Sequence, residues 1–235
     1  MSRVTAVEAP PRPAAGALSR IDVVSDAICP WCWIGKRHLE GALAALAEDG
    51  ERFEVHWRPF QLNPDMAPEG VERAAYRAAK FGSIERSRQL DAQVAAAGAA
   101  AGLEFRFDRQ RRTPNTVDAH RVVRRAGEAG GPALQEAVVE ALFRAYFQDG
   151  RDIGDRAVLA EAADAAGMDG AAALLATEEG AADVRAEDAG FRGLGISGVP
   201  SFALSGHVLF SGAVPADRMA DAFRQALAVL RGRAQ

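Results

Sequence analysis

The sequence predicts an α/β protein in which one mixed sheet, built from both ends of the chain, carries a helical insertion. Short β-branched or alternating segments occur at residues 21–25, 53–57 and 201–210. Residues 71–194 show almost only helical periodicity. The 235-residue chain is long enough to bury a core without disulfide or metal staples. The simplest arrangement joins the terminal strands in one sheet and leaves the helices between them.

The N-terminal elements form a predicted β-α-β unit. The short β-branched run at 21–25 is typical of a buried strand, and leucines at three- and four-residue steps predict a helix over 31–47. Apolar and polar residues alternate at 53–58, which predicts a second strand. A right-handed crossover would make these two strands parallel.

The middle of the chain predicts helices with recognisable starts. Ser83 is a candidate N-cap, Thr113-Pro114 is a candidate helix start, and Thr177 is a candidate start for the last inserted helix. The end of the chain predicts a β-hairpin over 201–210 and an amphipathic helix that Pro215 opens. We therefore expect a disordered tail at 1–19, a sheet-bearing domain from 20–68 and 195–232, and an all-helical insertion at 69–194.

Composition limits the classes of function. With 49% apolar and 26% charged residues the chain is typical of globular proteins. A net charge of −4 argues against binding to nucleic acid or to an anionic membrane. No apolar run reaches the roughly 18–20 residues of a membrane span, and the first twenty residues have no apolar signal region. We therefore expect a cytoplasmic protein.

The motif that carries chemistry is Cys-Pro-Trp-Cys at 29–32, between the first strand and the first helix. Cys29 falls at the helix N-terminus, where free N–H groups and the helix dipole would stabilise its thiolate. Cys32 lies one turn inside the helix on the same face, so the two sulfurs can reach each other. We expect Cys32 to be the more buried of the two and to act as the resolving thiol. A C-x-x-C motif at a strand-to-helix junction is typical of redox proteins.

A structural pair and half of a zinc site are the alternatives for these cysteines. A zinc site needs two further ligands at suitable spacing. The four histidines are scattered along the sequence, at His38, His56, His120 and His207. We therefore predict no metal. Static disulfides are rare in the cytoplasm, which favours a catalytic pair.

A second element, Gly198-Val199-Pro200, directly precedes the first C-terminal strand. An X-Pro bond in a tight turn beside a sheet is where a cis peptide is found. A cis bond here would leave the Val199 backbone free to pair with an extended substrate. The alternative is an ordinary trans proline at a strand start, and the proline alone does not decide between the two.

Taken together, these segments resemble the DsbA-like thioredoxin fold. Residues 26–36, with the sequence Asp-Ala-Ile-Cys-Pro-Trp-Cys-Trp-Ile-Gly-Lys, are similar to the FrnE-like branch of that family. Further similar segments are Arg-Pro-Phe-Gln-Leu-Asn-Pro at 58–64, Pro114-Asn115-Thr116 with Ala119-His120, and Ser211-Gly212-Ala213. The resemblance covers about residues 20–232. It implies a thiol–disulfide oxidoreductase or isomerase in which Cys29 is the nucleophile, Cys32 the resolving thiol and Pro200 the cis-proline facing them.

The resemblance also supplies an alternative function. The related kappa-class glutathione transferases and 2-hydroxychromene-2-carboxylate isomerases place a serine where Cys29 stands, and they bind glutathione. A glutathione-dependent isomerase or tailoring enzyme acting on an aromatic or polyketide molecule is therefore the first alternative, and a non-catalytic binding protein is the second. The expected partner is a protein or small molecule that contains a thiol or a disulfide. No cofactor is required, glutathione could serve as redox partner or co-substrate, and an apolar surface on the inserted helices would allow a homodimer.

Besides Val199 and Pro200, four residues outside the cysteine pair are candidates for substrate binding. Trp31 should be partly exposed and either stacks on substrate or packs on the helix. Phe60 and Asn63 follow the second strand and either line the groove or stay structural. The resemblance points Asn115 toward the cleft, although a residue at a helix start favours capping.

Other polar and aromatic residues have simpler predicted roles. Asp26 is expected to cap the turn before the motif, with a proton relay to the thiols as the alternative. His120 is expected to be a satisfied structural histidine, with a place in the pocket as the alternative. Trp33 and Trp57 are predicted to belong to the core or to the groove wall.

Overall fold

The computed structural model describes residues 19–232, and a four-stranded mixed sheet lies at its centre. The strands are β1 (Ser19–Ser25), β2 (Phe53–Pro59), β5 (Ser201–Leu204) and β6 (His207–Ser211), in the order β2-β1-β5-β6. β1 runs parallel to β2 and antiparallel to β5, which pairs antiparallel with β6. The sheet therefore joins both ends of the chain, as predicted. The predicted tail lies outside the described residues except for its last member, Ser19, which begins β1.

Two helices from the terminal segments pack together against the sheet. Helix α1 (Pro30–Glu48) makes the crossover between β1 and β2, and α8 (Ala216–Gly232) packs against it. Pro30 occupies the first helical position, where its missing N–H leaves no hydrogen bond unmade. Leu39 of α1 and Phe223 of α8 are buried in the core beneath the sheet. This arrangement places the N-terminus of α1 at the carboxyl end of β1.

The insertion between β2 and β5 consists mainly of helices, which confirms the predicted helical block. These are α2 (Arg73–Phe81), α3 (Ile84–Ala100), α4 (Val117–Phe143), α5 (Arg156–Ala165), α6 (Ala171–Leu175) and α7 (Ala181–Gly193), with a π-helical turn at Arg144–Gln148. Helix α4 is interrupted at Gly131, where φ is 69° and Pro132 follows. One detail differs from the prediction: β3 (Val71–Glu72) and β4 (Arg112–Thr113) form an antiparallel ribbon. Two-residue strands are too short to show an alternating pattern.

Two predicted helix starts are displaced toward the C-terminus by local side-chain hydrogen bonds. Ser83 caps α3 as predicted, accepting from the Arg86 N–H at 3.0 Å. Helix α4 begins at Val117 rather than at Thr113-Pro114, because the Asn115 side chain accepts from the Val117 N–H at 2.9 Å. The Thr177 hydroxyl donates to the Leu174 carbonyl and so closes the turn after α6 instead of opening α7.

An aromatic cluster joins α1 to the insertion. Trp33 is fully buried and stacks on Phe143 and Phe147, with Phe105 meeting its ring edge-on. Trp57 of β2 is buried beside the same cluster and meets Phe143 edge-on. Both tryptophans are therefore core residues, as predicted. Within residues 19–232, no helix combines the length and apolar character needed to cross a bilayer.

A buried lysine forms a second link between α1 and α4. The Lys36 side chain is 4% exposed, and its ammonium lies 2.5, 2.7 and 3.1 Å from carboxylate oxygens of Glu40, Glu136 and Glu140. The indole N–H of Trp33 donates to Glu140 at 3.2 Å. Burial raises the pKa of Glu140, but hydrogen bonds from Arg144 and the charge of Lys36 outweigh it and lower the pKa to about 2. The network fixes the helix that carries the cysteines against the insertion.

Candidate active site

The two cysteines lie at the start of α1 and 3.5 Å apart, both as free thiols. Cys29 is the N-cap residue, with an extended backbone, and its N–H donates to the Asp26 carbonyl at 3.0 Å. The Cys32 N–H donates to the Cys29 carbonyl at 3.0 Å. These turns place both sulfurs at the same end of the helix, so a small movement would allow them to form a disulfide.

Cys32 is the more deeply buried thiol, with 0% of its surface exposed against 4% for Cys29. Burial raises the pKa of the Cys32 thiol well above its usual value, and the neighbouring Cys29 raises it further. The Ser25 hydroxyl and the Asp26 backbone N–H approach the Cys32 sulfur and act in the opposite direction. Cys32 is therefore a protonated thiol near neutral pH.

The loop before β5 meets the cysteine pair. The Val199–Pro200 peptide bond is cis, which is the state that the resemblance implies. The Cys29 thiol donates to the Val199 carbonyl over 3.6 Å. The Ser201 hydroxyl donates to the Gly198 carbonyl at 2.8 Å and so closes the loop on itself. The loop thus places a backbone carbonyl against the outer sulfur.

Gly35 allows this loop to lie close to α1, and Gly35→Ala tests that contact. A Cβ at position 35 would stand 2.8 Å from Cγ of Pro200 and 3.4 Å from the Phe202 ring. Because the proline ring cannot move aside, we expect a net loss of about 1–3 kcal/mol of stability, the usual cost of overpacking. Exchange at Cys29 should also slow, because Val199 would shift with Pro200. Urea unfolding and the rate of disulfide exchange measure the two effects.

Gly190→Ala is the matched control for this prediction. Gly190 lies inside α7 (Ala181–Gly193), and a Cβ there would meet nothing within 4 Å. The change should therefore raise stability by up to about 1 kcal/mol through helix propensity alone. If Gly35→Ala gained stability as Gly190→Ala does, the close approach of Pro200 to α1 would be wrong.

A cavity of about 360 Å³ opens beside Cys29. Trp31, Asn63 and Val199 line it together with Cys29, so the structure brings these predicted residues to one place. Trp31 is 42% exposed, which agrees with its predicted partial exposure. Aromatic residues of the insertion form the apolar wall, namely Phe81, Phe107, Tyr146 and Phe147. Pro200 stands behind Val199, against Gly35, and is not part of the lining.

Two predicted substrate-binding residues lie elsewhere. Phe60 is 1% exposed and packs with Val24 and Ile196, because its N–H donates to the Ser25 carbonyl and continues the β2–β1 pairing. Its ring therefore belongs to the core and not to the groove. The Asn115 amide donates to the Met66 carbonyl at 2.7 Å, while its oxygen caps α4. Asn115 thus has the capping role that its position at a helix start favours.

Three cations on α2 line the cavity, and sequence reasoning missed them. Arg73 and Arg77 share the carboxylate of Asp91, at 2.9 and 2.6 Å. Lys80 donates to the Asn63 side chain at 3.2 Å and to the Tyr76 hydroxyl at 2.8 Å. Asp91 is the one carboxylate among the residues that line this cavity, so the wall carries a positive excess. Their i, i+4, i+7 spacing places the three cations on one helix face, and this signal was present in the sequence.

Asp26 and His120 meet behind the motif. Asp26 is fully buried; one oxygen accepts from the Leu62 N–H at 2.7 Å and the other from the Ile28 N–H at 3.4 Å. These contacts match the capping role expected for Asp26. Nε2 of His120 lies 3.1 Å from the Phe60 carbonyl and 3.5 Å from the Asp26 carboxylate. His120 therefore has partners, as expected, and one of them is Asp26, three residues before Cys29.

A cysteine pair at the N-terminus of a helix that follows a buried strand, facing a cis-proline loop, defines a thioredoxin-like site with a redox-capable geometry. The domain model described as the DSBA-like thioredoxin domain matches residues 20–224. The chain therefore belongs to the DsbA-like thioredoxin-domain family, a family of oxidoreductases and isomerases.

Known proteins agree with this assignment. A probable DsbA oxidoreductase from Streptomyces coelicolor is 36% identical in sequence, with a TM-score of 0.79 over 89% of this chain and 90% of that one. The uncharacterised protein YwbO of Bacillus subtilis is 28% identical over 158 residues, which are 67% of this chain and 71% of YwbO. The cytosolic disulfide reductase DsbM from Pseudomonas aeruginosa, solved with GSH, shares the fold at a TM-score of 0.63 and 21% identity, over 89% and 99% of the two chains.

Proposed function

We propose that this protein is a thiol–disulfide oxidoreductase or isomerase whose Cys29 and Cys32 alternate between dithiol and disulfide. The observation that carries the proposal is the pair of free cysteines 3.5 Å apart at the start of α1, with the outer sulfur on a cavity wall. Cys29 is the N-cap of α1, at the positive end of the helix dipole, which is a position that suits a sulfur nucleophile. A thiolate at this position can act both as an attacking group and as a leaving group.

The reaction is two successive displacements at sulfur. The Cys29 thiolate attacks a substrate disulfide, forms a mixed disulfide and releases one substrate thiolate. Cys32 then attacks the Cys29 sulfur, which closes the Cys29–Cys32 disulfide and releases the second substrate thiolate. The reverse sequence oxidises a substrate dithiol, and neither direction needs a metal or a nucleotide.

The cavity wall favours an acidic substrate or redox partner. Arg73, Arg77 and Lys80 face the space beside Cys29 with a single carboxylate among them. Glutathione carries two carboxylates and a thiol, so it fits this charge, and the DsbM relative was solved with GSH. Glutathione is therefore the proposed redox partner or co-substrate.

Titration of the cysteine pair in glutathione buffers tests the function. Thiol alkylation followed by mass spectrometry should show a reversible two-electron transition between roughly −120 and −270 mV. Bis(2-hydroxyethyl) disulfide, which is neutral, is the matched reagent and should equilibrate more slowly than oxidised glutathione. A pair that stays reduced over the whole range would contradict the redox mechanism. Equal rates with the two reagents would contradict only the role of the α2 cations.

The aromatic wall of the cavity favours one second candidate. Trp31, Phe107 and Phe147 offer stacking surfaces in a space of about 360 Å³, which suits an aromatic small molecule. A glutathione-dependent isomerase or tailoring enzyme acting on such a molecule would use this wall while glutathione bound the cations. This candidate requires no dithiol, so it predicts turnover without a Cys29–Cys32 disulfide.

A further inference from the structure

The resolving step requires a route by which the Cys32 thiol releases its proton, and the substrate cavity does not supply one. Attack on the mixed disulfide requires Cys32 to lose its proton, because the thiolate is the nucleophile. Burial raises the pKa of this thiol, and Cys32 is absent from the residues that line the cavity beside Cys29. Its proton therefore needs a path through neighbouring groups.

A water-sized cavity lies behind the motif. Its volume is about 20 Å³, and a water needs about 10–15 Å³. Ser25, Arg58 and His120 supply polar side chains to an otherwise largely apolar lining. Ser25 is also the residue whose hydroxyl approaches the Cys32 sulfur. Ser25 thus connects the buried thiol to this inner cavity.

A second, outer cavity of about 280 Å³ lies at the edge of the sheet, between β2, α4 and α7. Four residues line both the inner and the outer cavity, namely Trp57, Arg58, His120 and Val123. Of these, only His120 has a side chain that can both donate and accept a hydrogen bond, since a guanidinium and an indole only donate. Neither cavity shares a lining residue with the substrate cavity.

The surroundings of His120 hold its ring between the two cavities. The Phe60 carbonyl and the Asp26 carboxylate both lie within 3.5 Å of Nε2. The outer cavity is lined largely by charged and polar side chains, which favour the entry of water. They come from β2, α4 and α7, namely His56, Arg58, Arg124, Glu128 and Glu187.

We propose that Ser25 and His120 form an outlet that carries the Cys32 proton to the outer cavity, away from the substrate. This inference rests on the proposed dithiol function. The proton passes from Cys32 through the Ser25 hydroxyl and a water in the inner cavity to His120, and then to solvent. The Cys32 sulfur bonds to the Cys29 sulfur, and the bond between Cys29 and substrate breaks with its electron pair on the departing thiolate. His120 is a positioning and proton-transfer residue that does not touch the substrate.

Stopped-flow mixing of the reduced protein with excess 5,5′-dithiobis(2-nitrobenzoate) separates the two displacements. Attack by Cys29 releases one coloured thiolate at a rate that scales with reagent concentration. Resolution by Cys32 releases a second at a rate that does not. We expect His120→Gln to slow the second phase about 100-fold, the lower end of proton-transfer contributions. The first phase should be unchanged.

Two further variants and one additive test whether the slowed second phase is due to loss of the Ser25–His120 outlet. Ser25→Ala should slow the same second phase, and free imidazole should restore it in His120→Gln, because the outer cavity has room for the ring. His207→Gln, at an exposed position of the β5–β6 hairpin, should leave both phases as they are.

Two results would overturn the outlet. The first is parallel slowing of both phases without imidazole rescue, which indicates a structural role for His120. The second is an unchanged second phase in His120→Gln. If Asp26→Asn slowed the second phase in that case, the proton would be assigned to the buried carboxylate. Release of a single thiolate by the unaltered protein would instead contradict the dithiol function itself.

Discussion

Replacing Cys29 with serine should remove thiol–disulfide exchange by at least about 1000-fold, within the range seen when a catalytic nucleophile is lost. The reason is geometric as well as chemical. Cys29 alone of the two sulfurs lines the substrate cavity, so Cys32 cannot replace it. Reduction of a small disulfide such as oxidised glutathione, followed by release of its thiol, measures the loss.

Cys32→Ser is the matched control for this prediction. This variant retains Cys29, so the first displacement should proceed. The mixed disulfide on Cys29 should then accumulate and be visible by mass spectrometry. Turnover of an aromatic substrate that persists in Cys29→Ser would favour the isomerase, because a hydroxyl could then serve at this position. A protein in which neither variant changes any rate would be a binding module and not an enzyme.

Lys36→Met should cost about 3 kcal/mol of folding stability, the lower end of the cost of removing one partner from a buried charge pair. The change leaves Glu136 and Glu140 without the ammonium that lies between them at 2.7 and 3.1 Å. Urea unfolding at pH 7 measures the loss. Lys80→Met is the matched control: Lys80 is exposed on α2, and the change should stay within about 0.5 kcal/mol.

The cost of Lys36→Met should depend on pH in a defined direction. The folded-state pKa of Glu140 is lowered to about 2 from its usual 4.5. A lowered pKa contributes stability that is fully present above the unfolded value and is lost as the pH falls. The difference in unfolding free energy between the unaltered protein and the Lys36→Met variant should therefore be full at neutral pH and shrink from about pH 4.5 toward pH 2. A difference that is constant over this range would show that packing, and not charge, holds Lys36 in place.

The sequence by itself determined the elements whose signals are local. The parallel β1–β2 pair, the helix that begins at Pro30 and the terminal hairpin depend on short-range periodicity, caps and turns. The cysteine pair belongs to this class, since two positions three apart at a helix start are neighbours in any fold that forms the helix. The local signals missed the β3–β4 ribbon because its strands are two residues long.

Only the tertiary structure decided which distant residues meet the thiols. Val199 lies 170 positions from Cys29, and its carbonyl reaches the thiol because β5 pairs with β1. The Phe60 ring lies in the core because the Phe60 backbone extends the pairing with β1. No local sequence pattern predicts this orientation. Arg73 and Lys80 reach the cavity because α2 folds over the motif. Such contacts depend on packing between elements far apart in sequence. Composition and periodicity do not predict which residues make them.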